Sequence, residues 1–81
     1  FMLLDVLFFG QCREIVGAGR ASVEVATPTA AGVVEAVRGR FPGLGALDGK
    51  LLIAVNEDYA KPDDAVRAGD EVAIFPPVSG G

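Results

Sequence analysis

Histidine and tryptophan are absent from this 81-residue chain, and cysteine, methionine and tyrosine occur once each. Without histidine there is no His-based catalytic triad and no imidazole metal ligand. The single thiol, Cys12, can build neither an intramolecular disulfide nor a thiolate metal cluster, and no metal is expected. Small secreted domains lean on disulfides, so the expected compartment is a reducing cytoplasm. Basic side chains are also scarce: seven against eleven acidic ones, for a net charge of −4. That argues against nucleic acid, which is held mainly by clustered Lys and Arg. No basic amphipathic face suggests a membrane surface. A mildly acidic chain suits a partner with a basic groove.

Long hydrophobic runs are missing as well. The apolar start "FMLLDVLFF" is interrupted by Asp5, has no basic n-region and is followed by no small-residue cleavage site. It is far short of the ~20 apolar residues of a membrane span. Phe1, ahead of Met2, reads as an extra residue at the start. No phosphate loop is present, since "GAGR" at Gly17–Arg20 lacks the GK[ST] ending and its strand–helix setting. Asp63-Asp64, Asp48 near Lys50, and Asp70 beside Glu71 read as solvated turn acids rather than catalytic pairs. Cys12 reads as a small, inert, partly buried apolar residue.

What remains is a generous supply of apolar side chains, 51% of the total. A chain this short hides roughly 60–65% of its unfolded surface, enough for one core and one domain. Leu3–Phe9 reads as a strand with both faces mostly buried. Gln11–Val16 reads as a short helical turn with Ile15 and Val16 inward. Ala21–Val25 alternates apolar and polar, the period of a strand with one wet face, and pairs antiparallel with the first.

Thr27-Pro28-Thr29 opens a helix, with either threonine able to cap it. Ala30, Val33, Val34, Val37 and Phe41 then share one helical face, until Pro42-Gly43 stops it. Residues 42–49 read as a Gly-rich connection and Leu51–Val55 as an inner strand. After a turn at residues 56–58 comes a short strand, Tyr59–Lys61, and then a polar excursion, Asp63–Ala68. A tight turn at residues 68–70 leads into a last strand, Glu71–Phe75, with Val72 and Ile74 on one side and Ala73 and Phe75 on the other. The first and last strands are the most apolar and are placed side by side, parallel, in the centre. The fold class is therefore α+β: a mixed sheet with one main helix packed across it, the ubiquitin-like β-grasp arrangement.

With no other chemistry in sight, the most reactive group is the α-carboxylate on Gly81. It is ionised at neutral pH and able to attack the α-phosphate of ATP inside another protein's active site. The expected division is a β-grasp domain over residues 1–75 and a flexible reactive tail over 76–81. Pro76 and Pro77 end sheet pairing and stiffen the base of this tail; Val78 and Ser79 follow; Gly80 and Gly81 lack a Cβ and fit a narrow channel. Six extended residues reach about 20 Å. Phe75, with Phe9 or Phe8 and Tyr59, is the candidate docking surface for the owner of that site.

The pieces "VLFFGQCREIVG", "GKLLIAVNEDYA" and above all "AGDEVAIFPPVSGG", with the spacing between them, resemble the small, sulfur-carrying subunits of molybdopterin synthase over the whole chain. Residues 18–47 match only in pattern, and Ile74 stands where a second aromatic is common. The resemblance implies a non-catalytic carrier. A ubiquitin-activating-type adenylyltransferase, using ATP and Mg²⁺, adenylates Gly81, and a sulfur donor enzyme turns it into a thiocarboxylate. The tail then enters the large subunit of a heterotetramer and gives its sulfur to cyclic pyranopterin monophosphate. No permanently bound cofactor is implied.

Three rivals remain open. A sulfur carrier for thiamine synthesis shares the tail, but such chains are generally shorter and lack the proline pair. A protein-tagging modifier forms isopeptide bonds with target lysines. A plain β-grasp interaction module would lose nothing with Gly80-Gly81.

Overall fold

The computed structural model describes residues 1–47 and 50–77. Five strands and two helices follow one another along the chain: β1 (Met2–Phe8), α1 (Gly10–Val16), β2 (Arg20–Val25), α2 (Ala30–Arg40), β3 (Leu52–Val55), β4 (Asp58–Tyr59) and β5 (Val72–Phe75), with a 3-10 turn, Pro42–Ala46, after α2. The sheet order is β2-β1-β5-β3-β4. The β1–β5 pair is parallel and the others are antiparallel. A mixed sheet with its first and last strands adjacent at the centre, crossed by one main helix, is the β-grasp fold.

One face of the sheet meets α2. Leu4, Val6 and Phe8 from β1, Val23 and Val25 from β2, and Val72 and Ile74 from β5 are buried there with Ala30, Val33 and Val37 of α2. The alternation expected for β2 and β5 is the alternation observed. For β1 the two-sided burial expected from sequence is wrong. Leu3 is 63% exposed and Phe9 44%, because among the described residues no second layer covers the far face. A central parallel pair usually has cover on both sides; here one side is open.

Thr29, rather than Thr27, caps α2: its Oγ1 accepts the Gly32 N–H at 3.1 Å. Pro28 therefore precedes the cap. The choice is tertiary, since the Pro28 carbonyl accepts the Val66 N–H at 3.0 Å and Thr29 bridges to Ala65. Gly32 lies against the Thr27 carbonyl with no room for a Cβ, which explains a residue that otherwise weakens a helix. In α1 the inward residue is Cys12, not Ile15. Ile15 is 37% exposed and Val16 half-buried, because the helix starts at Gly10 and turns Cys12 to the core.

Two stretches read as plain loops carry core residues. Leu44, in the 3-10 turn, is fully buried, and Val66 anchors the excursion between β4 and β5. The fourth strand is shorter and earlier than expected, Asp58–Tyr59, since the chain turns at Pro62 to meet the start of α2, where the Pro62 carbonyl accepts the Ala31 N–H at 2.8 Å.

Candidate functional site

The open face gathers three of the four aromatic candidates. In β5, Phe75 points away from α2 because Ile74 points toward it. Phe9 lies just past β1, and its N–H donates to the Ile74 carbonyl at 3.1 Å, which extends the parallel ladder by one step. The two rings then stack, with centroids 4.9 Å apart and planes 10° apart. Tyr59, 73% exposed at the outer strand, tilts toward Phe75 at 6.1 Å.

Phe8 is the exception. It is 1% exposed and meets Phe41 edge-on at 5.5 Å, inside the core. Adjacent strand residues face opposite ways, so only one of Phe8 and Phe9 can serve the surface, and Phe8 leaves the candidate set.

Below the aromatics the face is apolar and shallow. Leu7, Ala73 and Ala54 lie side by side on three neighbouring strands. The base of the tail is fixed from beneath: a Cβ on Gly10, whose φ is 56°, would stand 3.2 Å from the Pro76 ring. Pro76 and Pro77 are half-buried at the end of β5. Val78, Ser79, Gly80 and Gly81 lie outside the described residues, as does Asp48.

Two of the turn acids accept hydrogen bonds within their own turns, and the thiol is buried. Asp64 accepts the Lys61 N–H at 2.8 Å. Asp70 accepts the Arg67 N–H at 2.8 Å and the Asn56 side-chain amide at 3.1 Å, and these two bonds hold its carboxyl below the usual range. Cys12 is fully buried; burial pushes its thiol up, with a smaller opposing pull from Arg38, so it stays protonated and unreactive. Among the described residues no group of three or more acidic or thiol side chains could hold a metal ion, and no helix is long and apolar enough to cross a membrane. The sequence reading missed Glu57 and Glu71, which border the apolar patch; the alternation Glu71-Ala73-Phe75 carries the signal for one of them.

Residues 6–81 match the model of the ThiS family. The chain belongs to that family. Within the ThiS family, it is 43% identical over 81 residues to the molybdopterin synthase sulfur carrier subunit of Haemophilus influenzae, spanning 98% of this chain and all of the relative. It is 44% identical over 85 residues to the carrier subunit of the same name from Escherichia coli, again with 98% and 100% coverage. Among solved structures, small archaeal modifier protein 1 of Haloferax volcanii superposes with a TM-score of 0.82 at 26% identity, covering 96% of this chain and all of the other. The β-grasp fold and the likeness to molybdopterin synthase sulfur carriers were both expected from the sequence.

Proposed function

We propose that this chain is the sulfur carrier subunit of molybdopterin synthase and that its reactive atom is the C-terminal carbonyl carbon of Gly81. The observation that carries the reading is end-to-end similarity at 43–44% identity to carriers of that name. The geometry supports it: β5 runs from the middle of the sheet straight into Pro76-Pro77, beside an uncovered aromatic patch. The fold thus aims the tail and offers a docking surface next to its root.

The chemistry runs on partner proteins. The Gly81 carboxylate attacks the α-phosphorus of ATP with Mg²⁺ on the activating adenylyltransferase, and pyrophosphate leaves. Sulfur that a donor enzyme releases at the sulfide oxidation level attacks the resulting acyl carbon, and AMP leaves, which yields a thiocarboxylate. Docked on the large subunit, the tail's sulfur bonds to carbon of cyclic pyranopterin monophosphate, and water cleaves the acyl–sulfur bond, so the tail returns as a carboxylate. This chain supplies binding energy, reach and a recyclable acyl group. Its side chains supply no acid, base or metal for these steps.

The thiamine reading loses ground, because the carriers matched along the full chain are named for molybdopterin synthase. A side role in protein tagging keeps one supporting observation, the fold similarity to an archaeal modifier protein. One experiment separates a sulfur carrier from a protein modifier. The chain is incubated with the activating enzyme, ATP, Mg²⁺ and a sulfur donor, and weighed intact. Exchange of one terminal oxygen for sulfur supports the carrier; attachment to lysines of other proteins supports the modifier; an unchanged mass contradicts both.

A further inference from the structure

The open face has a hollow at its centre, and residue size explains it. Ala73 on β5 pairs with Ala54 on β3 and with Leu7 on β1, so the middle row of the face ends in two methyl groups. Phe9 and Phe75 rise along one side, and Tyr59, the partner of Ala54, closes the β4 end. The space left is about 290 Å³.

The opposite lip is acidic. Glu71 follows the same alternation as Ala73 and Phe75, and Glu57 comes from the turn between β3 and β4. Asn56 binds that turn to the start of β5: its N–H donates to the Glu71 carbonyl at 2.8 Å, and its side-chain oxygen accepts the Glu71 N–H at 3.0 Å. Neither carboxylate has a hydrogen-bond or ion-pair partner among the described residues. Arg20, beside Leu7 on the β2 side, does not line the hollow. Glu57 also has φ 73°, a left-handed conformation that favours glycine. A carboxylate thus sits where glycine would be the easier residue.

We propose that the hollow seats one lysine or arginine side chain of the protein that covers this face. Its methylene stem lies on Ala54 and Ala73, and its charged head lies between Glu57 and Glu71. The inference rests on the reading of this face as the docking surface for the large subunit, and it names the chemistry that subunit presents there. An aliphatic side chain would fill the floor but leave two carboxylates under the partner without a counter-charge. An acidic one would be repelled, and a short polar one would leave the floor empty. A long unbranched cation satisfies both ends, since such side chains bury their stems and keep their heads for carboxylates. The net charge of −4 favours the approach of a cationic surface.

The test measures affinity for the molybdopterin synthase large subunit by titration calorimetry at low and high salt, using the full chain. The double variant Glu57→Gln/Glu71→Gln keeps the shape and removes both charges. It is expected to bind roughly ten-fold more weakly at low salt and to converge on the unsubstituted chain as salt rises. Ala73→Leu fills the hollow without touching charge and is expected to weaken binding at every salt concentration. Glu57→Gly, which relaxes the turn, is expected to bind more weakly although it melts no lower. If the doubly amidated chain folds and binds with unchanged affinity and salt dependence, the inference is overturned and the docking reading survives. If the unsubstituted chain does not bind the large subunit, both fall.

Discussion

Phe9 and Phe75 stack face to face across the parallel β1–β5 pair, with ring centroids 4.9 Å apart. The backbone bond from Phe9 N–H to the Ile74 carbonyl holds them level. The stack stands at the root of the tail, where β5 gives way to Pro76. Its position makes it a rigid apolar anchor that the core does not need, because the buried set comes from the other face of both strands.

Phe75→Ala is therefore expected to separate binding from folding. Loss of an aromatic anchor at an interface centre costs about 2 kcal/mol or more of binding. Affinity for the large subunit, measured by titration calorimetry, should fall ten-fold or more, with the thermal midpoint nearly unmoved. Unchanged affinity removes Phe75 from the interface.

Phe8→Ala should do the reverse. Phe8 is fully enclosed and meets Phe41 edge-on. Truncating a buried phenylalanine costs about 3–5 kcal/mol, a large part of a small domain's stability. Denaturant unfolding checks this; a loss below about 1 kcal/mol would mean that the site is not packed as described.

Asp70 links stability to pH. Hydrogen bonds from the Arg67 N–H and the Asn56 amide favour its ionised form, so its pKa in the folded chain lies below that in the unfolded chain. A lowered carboxyl pKa gives stability that is present above the ordinary carboxylate range and is lost as pH falls through the lowered value. Asp70→Asn should therefore be less stable than the unsubstituted chain at neutral pH, and the gap should narrow in acid. Unfolding curves across that range decide; a gap constant with pH contradicts the assignment.

The fold was legible because its periods were clean. Val72 and Ile74 against Ala73 and Phe75, and Val23 and Val25 against Ser22 and Glu24, show their faces in the order of residues alone. The error on β1 has a physical origin. Leu3, Leu7 and Phe9 are as apolar as Leu4, Val6 and Phe8, and Asp5 is the one charged residue that marks the open face of the strand. Leu44 and Val66 were hidden for a different reason: no helical or strand period runs through the segments that hold them, and each is buried by contacts distant in sequence. The choice of Thr29 over Thr27 depended likewise on residues 65 and 66. Glu57 and Glu71 are brought to one lip only by the β3–β5 register.

The central claim is that the reactive end of this molecule is the carbonyl of Gly81 and nothing else in the chain. The most direct measurement is molybdopterin formation in a reconstituted reaction with the large subunit, cyclic pyranopterin monophosphate, the activating enzyme, ATP and a sulfur donor. The chain ending at Gly81 should support product formation. A variant with one further residue after Gly81, shown by mass to stay unprocessed, should support none. Synthesis at the normal rate by the extended variant would contradict the account.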